Sequence, residues 1–308
     1  MKQPITASIA LFATLAIIGT LLAGCPRQAP RPRATSTTSQ PGTTSTTTKG
    51  TTTTKATTTI TLYFINVRDG VMFLVPERRT IPKTSAIARA SLEELIKGPK
   101  QAGLTSVIPR DTKVRSVKIT DSLATIDFSR EVLNANVGAE SEALGIAQIV
   151  DTLTQFPTIK TVKFLVEGRD RGTIDGRQIE DWWGHVGLSK QPFSRNESVI
   201  QGARIRTNTI TVNSPRAYTE IPNPVTVEGT ATVFEASLNV RILDRNNNRL
   251  ADIPVMAENF MNGPFKKSIK YRQPSAAGRG TVLFYFISPK DGSEVTMATV
   301  TVFLNKTD

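Results

Sequence analysis

The residues best able to do chemistry in this sequence are a single histidine and several pairs of neighbouring carboxylates. His185 closely follows Asp181-Trp182-Trp183, and an Asp–His pair beside two tryptophans could bind a sugar ring. The neighbouring acids Glu93-Glu94, Glu140-Glu142 and Glu180-Asp181 could supply a general acid and base. Paired carboxylates of this kind hydrolyse glycosidic bonds such as those of peptidoglycan.

The sequence favours a structural interpretation of both groups. A lone histidine without a matching nucleophile is more often structural, so we expect Trp182 and Trp183 to pack on a sheet. One histidine and one cysteine exclude multi-histidine metal sites and a disulfide framework. The sequence also contains no nucleotide-binding fingerprint and no metal-ligand spacing. We therefore predict no catalytic, metal or cofactor site, and a protein that is not an enzyme.

The N-terminal segment predicts export followed by lipid attachment. Lys2 precedes an almost wholly apolar stretch, as in a secretory signal peptide. Leu22-Ala23-Gly24-Cys25 then resembles the bacterial lipobox, in which the cysteine is acylated after the chain is cut before it. The alternative is an uncleaved anchor, because residues 5–24 are about long enough to span a bilayer. Since the single cysteine occupies the position that the motif requires, we favour residues 1–24 as a signal peptide and Cys25 as the lipidation site.

Residues 25–59 are predicted to be a disordered linker rich in Thr, Ser and Pro. Eighteen of residues 35–59 are Ser or Thr, so too little apolar surface is present to offset the entropy of ordering. Residues 1–60 also hold six basic side chains and no acidic one, which is half of the net charge of +12. No basic stripe interleaved with aromatic residues occurs, and we expect no nucleic-acid partner.

Residues 60–188 are predicted to form an α+β domain with the element order ββαββαβ. Alternating strand patterns flank the turns Asp69-Gly70 and Asp121-Ser122. Two helices each carry one apolar face at helical spacing. These faces are formed by Ala88, Leu92, Leu95 and Ile96 in the first helix and by Ile146, Ile149, Val150 and Leu153 in the second. The pattern is typical of two helices that cover one face of a small sheet.

Three segments of this domain carry a family resemblance. They are ASLEELIKGP at 90–99, ATIDFS at 124–129 and QIVDTLTQFP at 148–157. Together they resemble the GerM domain of bacterial sporulation and germination lipoproteins, over most of residues 60–180. The resemblance implies a fold like the ring-building domains of secretion and sporulation channels. It further implies protein–protein assembly in the cell envelope and brings no catalytic residues with it.

Residues 207–308 are predicted to form an all-β sandwich of the immunoglobulin type, after a polar linker at 189–206. Six or seven short strands separated by turn clusters favour this fold. The segments VNSP at 212–215 and PVTVEG at 224–229 resemble the immunoglobulin-like module of bacterial spore-germination proteins, which commonly follows a GerM domain. The turn at 244–248 resembles part of a calcium loop, but it lacks the terminal glutamate and is interpreted as a hairpin turn.

We predict from these features a non-catalytic envelope lipoprotein that serves as a protein-interaction or assembly module, with sporulation or germination as the implied context. The alternative is an envelope protein that binds or cleaves peptidoglycan. The expected location is the extracytoplasmic face of the cell membrane, and the expected partners are membrane lipid through acylated Cys25, other envelope proteins and further copies of the chain. The candidate contact surface is the solvated face of the first helix, formed by Arg89, Glu93, Glu94 and Lys97. Reversing Glu93 and Glu94 to Lys is expected to leave the fold intact and to weaken association with the envelope partner.

Overall fold

The computed structural model describes residues 56–306. The predicted signal peptide, the lipidation site Cys25 and nearly all of the predicted 25–59 linker lie outside the described residues. Within 56–306, no helix is both long and apolar enough to cross a membrane.

The first half of the described chain contains the seven predicted elements, followed by three short strands. In chain order these are β1 (Thr57–Arg68), β2 (Val71–Pro82), α1 (Ile87–Ile96), β3 (Val114–Thr120), β4 (Leu123–Phe128), α2 (Ala139–Leu153), β5 (Thr161–Val166), β6 (Thr173–Ile174), β7 (Arg177–Gln178) and β8 (Phe193–Ser194). The α+β class and the order ββαββαβ are therefore confirmed.

The main strands of this half form two sheets, where we expected one. β1 and β2 pair as an antiparallel hairpin, whereas the second sheet has the order β3-β4-β5-β8, with β4 and β5 parallel. Both helices contact β1, while α1 also contacts β3 and α2 also contacts β5 and β8. Four consecutive residues of β1 are buried, Leu62, Tyr63, Phe64 and Ile65, so both faces of this strand are covered.

The apolar helix faces predicted from the sequence are buried in the structure, and this prediction is confirmed. Helix α1 ends before Gly98, whose φ of +82° is the left-handed conformation common just after a helix. Helix α2 contains Gly145 at a close approach, since a Cβ at this position would lie 2.3 Å from the ring of Trp183. The Trp182-Trp183 segment is thus packed directly against α2.

The second half is an all-β sandwich, as predicted. Its strands are β9 (Ile205–Arg206), β10 (Ile210–Ser214), β11 (Glu220–Ile221), β12 (Val225–Ala231), β13 (Ser237–Leu243), β14 (Arg249–Met256), β15 (Gly263–Ile269), β16 (Gly278–Ile287) and β17 (Glu294–Leu304). One sheet has the order β15-β12-β10-β9 and the other β11-β17-β16-β13-β14. Side chains from both sheets share one apolar core.

The segment predicted as an interdomain linker is hydrogen-bonded into both halves. Its start forms β8, which pairs with β5, and its end forms β9, which pairs with β10. Between them, the backbone N–H of Gln201 donates to the carbonyl of Leu74 at 2.8 Å. Across the junction, the rings of Phe73 and Tyr218 stack with centroids 4.7 Å apart.

Candidate interaction surfaces

The charged face of α1 is largely paired within the chain. Arg89 Nε donates to Glu93 Oε1 at 2.9 Å, and Arg89 Nη2 donates to the backbone carbonyl of Val114. Glu94 accepts from Lys97 Nζ three residues along the helix. Of the four residues predicted to form this surface, Glu93 and Lys97 are exposed, whereas Arg89 and Glu94 are half-buried.

Glu94 belongs to a buried group of charges that the sequence does not reveal. We name Glu77, Arg79 and Glu94 the β2 ion cluster. The Arg79 side chain is only 3% exposed, and its guanidinium donates to Glu77 Oε1 at 2.6 Å and to Glu94 Oε2 at 3.3 Å. It also donates to the backbone carbonyls of Glu94 and Gly98. Reversal of Glu94 to Lys would place an ammonium beside Arg79, so we expect this change to lower the stability of the fold, and that the fold stays intact after reversal remains a prediction.

The carboxylate of Glu77 is satisfied on both oxygens. Its Oε2 accepts backbone N–H groups of Lys100 and Gln101, each at 2.9 Å, so it fixes the loop that follows α1. Burial alone would raise the pKa of Glu77, but the hydrogen bonds from Gln101, Arg79 and Lys100 outweigh it and lower that pKa below its usual value. The folded structure therefore stabilises the ionised carboxylate of Glu77.

The segment around His185 is structural. Trp182, 2% exposed, stacks on Phe164 of β5 as the packing interpretation expects, whereas Trp183, 5% exposed, packs against Gly145 of α2 instead of a sheet. His185 is exposed. Glu142, from α2, is fully buried and accepts the backbone N–H groups of Trp183, His185 and Gly187 at 2.8 to 3.4 Å. Glu142 thus anchors the segment that carries the histidine.

Two further acids singled out in the sequence, Glu180 and Asp244, also contact the chain's own backbone. Glu180 accepts the N–H of Gly172 at 2.9 Å. Asp244 Oδ1 accepts the N–H groups of Asn246 and Asn248 at 2.8 and 2.9 Å, as the hairpin-turn interpretation expects. Among residues 56–306, no group of three or more His, Cys, Asp and Glu side chains could hold a metal ion.

Exposed large apolar side chains are concentrated at one end of the β-sandwich. Phe234, Met256, Phe260 and Met261 are each 58–66% exposed. We name these four residues the apolar tip. They lie on two chain segments that hydrogen bonds hold together, since the N–H of Val233 donates to the carbonyl of Phe260.

Two further bonds join the same segments, from the N–H of Ala257 to the carbonyl of Ala236 and from the N–H of Asn262 to Thr232 Oγ1. On the two segments that carry the apolar tip, every charged residue is acidic, and we call these residues the acidic rim. Glu235 and Glu258 are exposed on these segments, and neither 232–237 nor 256–263 contains a Lys or Arg, although the chain carries a net charge of +12. Sequence analysis misses this surface because its residues come from two separate loops.

Comparison with known families matches the two halves separately. Residues 61–172 match the family model Germane, described as sporulation and spore germination. Residues 209–293 match the model Gmad2, the immunoglobulin-like domain of bacterial spore germination.

A curated relative is the spore germination protein GerM of Bacillus subtilis strain 168. It is 30% identical over 116 residues, which are 35% of this chain and 31% of that protein. The chain therefore spans about a third of the length of the curated relative that it matches.

Two solved structures from Bacillus subtilis are also similar. The tandem GerMN domains of the sporulation protein GerM show 20% identity, with 70% of this chain and 62% of that chain covered and a TM-score of 0.36. The first GerMN domain of that protein shows 27% identity, with 43% and 98% covered and a TM-score of 0.32. The α+β half therefore matches a sporulation and spore germination family model, and the β-sandwich half matches the model of the immunoglobulin-like domain of bacterial spore germination.

Proposed function

We propose that this protein is a non-catalytic lipoprotein of the cell envelope that binds other envelope proteins during sporulation or spore germination. The observation that carries the proposal is the apolar tip. Four large apolar side chains exposed together at one end of a domain are typical of a surface that a partner covers. Lipid attachment at Cys25 would hold the chain on the extracytoplasmic face of the cell membrane.

The acidic rim favours a protein partner over a lipid surface. Anionic membrane lipids attract Lys and Arg and repel carboxylates, so Glu235 and Glu258 oppose insertion of the tip into such a membrane. An interface commonly has an apolar centre and a polar rim whose charges select the partner. We therefore expect the partner to offer an apolar surface bordered by Lys or Arg.

The contacts of the acidic residues support the non-catalytic part of the proposal. Glu142 and Glu180 accept backbone N–H groups, and Glu93 is paired with Arg89. A general acid or base must instead be free to exchange a proton with a substrate. Incubation of the full chain with purified cell walls tests this part, and release of soluble muropeptides would contradict it.

Co-purification from detergent-solubilised membranes tests the contact surface. The variant is Phe260→Ser with Met261→Ser, and the matched control is Val67→Ser with Val186→Ser, two exposed apolar residues of the α+β half. The tip variant should lose the partner and keep the thermal unfolding temperature of the unchanged protein, and the control should retain the partner.

A third variant, Glu93→Lys with Lys97→Glu, tests the surface of α1. Undiminished co-purification of the tip variant would contradict the assignment to the apolar tip. Loss of the partner in the α1 variant alone would place the contact on Arg89, Glu93, Glu94 and Lys97. Sedimentation of the purified chain shows whether the partner is a second copy, because that contact would persist without other proteins.

Metabolic labelling with a fatty-acid analogue tests the anchor. The unchanged chain should take up the label, and Cys25→Ala should not, because the sulfur that would be acylated is absent. Equal label on both chains would contradict lipid attachment at Cys25.

A further inference from the structure

Four arginines line a cleft where the two halves of the chain meet. The cleft has a volume of about 420 Å³ and includes Tyr63 of β1 among its lining residues. The arginines are Arg195, Arg204, Arg206 and Arg216. Glu197 is the one carboxylate among the described residues that line it, so positive charges exceed negative ones by three. We name this feature the junction cleft.

Two of these guanidinium groups have no partner within the described part of the chain. Glu197 is bound to Arg206 at 3.2 Å and lies 3.8 Å from Arg195 Nε. No hydrogen bond or ion pair joins the guanidinium of Arg204 or Arg216 to another residue of 56–306. Like charges gathered in a cleft repel one another, and an anion bound between them would remove that repulsion.

Arg195 is held in place by its neighbours. Its Nη1 donates to the backbone carbonyl of Asp151 at 2.9 Å, and its Nη2 donates to Tyr63 Oη at 2.7 Å. Its guanidinium also lies over the Tyr63 ring, 5.1 Å from the centroid. An arginine fixed in this way loses little further freedom when it meets a ligand, which favours binding.

The backbone that carries the other arginines is fixed as well. The N–H of Gly202 donates to the carbonyl of Ala217 at 2.8 Å, and the N–H of Ala217 donates to the carbonyl of Ala203 at 3.1 Å. These two bonds hold Arg204, on the segment between the halves, next to Arg216, which follows β10. The arginines therefore converge through the fold itself.

We propose that the junction cleft is a binding site for a phosphate-bearing anion, with Arg204 and Arg216 as its principal contacts and Arg195 as a fixed third contact. The planar fork of a guanidinium matches the oxygens of a phosphate group with two parallel hydrogen bonds. The phosphate could belong to a phospholipid headgroup or to a free phosphate or polyphosphate, and both present the same oxygens. The site is independent of the apolar tip, whose acidic rim would repel such a ligand.

Calorimetric titration of the detergent-solubilised full chain tests the site. The soluble probes are inorganic pyrophosphate and a polyphosphate, and the lipid probe is phosphatidylglycerol carried in non-ionic micelles. The cleft variant is Arg204→Gln with Arg216→Gln. The matched control is Arg169→Gln with Arg279→Gln, which removes the same charge from two exposed arginines outside the cleft.

At least one phosphate probe should bind the unchanged chain. The cleft variant should weaken that binding about tenfold or more, while the control should change it less than about twofold. Glu197→Gln should strengthen binding several-fold, because it removes the carboxylate that competes for Arg206. Binding confined to phosphatidylglycerol would identify a headgroup site, and binding of the soluble probes would identify a site for free phosphates.

Two results would overturn the proposal. One is the absence of binding to all three probes by the unchanged chain. The other is equal weakening in the cleft variant and in the control, since that would show attraction by net charge without a site.

Discussion

Two buried carboxylates of the α+β half, Glu77 and Asp151, have opposite surroundings. Glu77 is bound by the guanidinium of Arg79 and by two backbone N–H groups, and its pKa is lowered. Asp151 is fully buried, its Oδ1 accepts the N–H of Asn196 at 3.0 Å, and its Oδ2 has no hydrogen-bond partner among the described residues. Burial raises the pKa of Asp151 to about 7, although Asn196 and the charge of Arg195 oppose the rise.

The two carboxylates differ in the contacts that the neighbouring arginine makes, Arg79 beside Glu77 and Arg195 beside Asp151. Arg79 places its whole guanidinium inside the fold, on Glu77, Glu94 and two carbonyls. Arg195 lies beside Asp151 but donates to its backbone carbonyl and to Tyr63, so the carboxylate stays without a salt bridge and the arginine borders the junction cleft. Arginine thus stabilises the fold in the β2 ion cluster, whereas in the junction cleft we propose that it binds a ligand.

Removal of Arg79 should have the largest effect on stability. Arg79→Ala leaves Glu77 buried with an uncompensated charge, which typically costs about 3–5 kcal/mol. The matched control is Arg78→Ala, one residue earlier on the same strand, where the side chain is exposed. Urea unfolding should show the loss in the first variant and almost none in the second. Equal stability of the two variants would contradict the structural role of the β2 ion cluster.

Asp151 should make the protein less stable as the pH rises. The pKa of Asp151 is higher in the folded chain, at about 7, than its ordinary value of 3.8, so the folded state binds a proton more tightly than the unfolded state. Its contribution to stability is therefore complete below about pH 4 and is lost as the pH rises to about 7. Between pH 5 and 8 this loss amounts to roughly 3 kcal/mol.

The measurement for Asp151 is urea unfolding at several pH values, in the unchanged chain and in Asp151→Asn. As the pH rises from 5 to 8, the unfolding free energy of the unchanged chain should fall relative to that of Asp151→Asn, because asparagine does not titrate. A difference that stays constant from pH 5 to pH 8 would show that Asp151 has no raised pKa.

The two acids of α1 should respond differently to reversal. Glu94→Lys removes a partner of Arg79 and adds a like charge beside it, so we expect a loss of about 2 kcal/mol. Glu93→Lys breaks only an exposed pair with Arg89 and should cost less than about 1 kcal/mol. Thermal unfolding of the two single variants checks this order, and the reverse order would show that Glu94 is not part of the β2 ion cluster.

The smallest effect is expected in the junction cleft. Arg204→Gln with Arg216→Gln removes two guanidiniums that have no partner in the described chain, so the unfolding free energy should change by less than about 0.5 kcal/mol. A large loss of stability in urea unfolding would mean that these arginines hold the two halves together, and would weaken their assignment to a ligand.

Local patterns in the sequence were enough to predict most of the elements. The helix faces follow from residues three and four apart, such as Leu92 and Leu95, and the turn Asp121-Ser122 marks the hairpin of β3 and β4. The strands β14 and β15 are hard to predict because they lie at sheet edges, where Pro254 and the pair Lys266-Lys267 interrupt the apolar pattern.

The candidate sites depend on contacts between distant parts of the chain. Glu77 and Arg79 lie in the polar run Glu77-Arg78-Arg79-Thr80 of β2 and look like solvated positions, although the structure buries both beneath α1 and the loop after it. Phe234 and Phe260 join one surface only because two loops are hydrogen-bonded together. The arginines of the junction cleft come together because the 189–206 segment pairs with strands of both halves. Hydrophobic periodicity in the sequence does not predict this pairing.

Site-specific photo-crosslinking on intact membranes tests the central claim most directly, that the apolar tip is where this protein meets a partner. A photoreactive side chain replaces Phe260 in one full-length chain and Val67, a similarly exposed apolar residue of the α+β half, in another. We expect one adduct of defined mass from position 260 and none from position 67. No adduct at 260, or the same adducts from both positions, would contradict it.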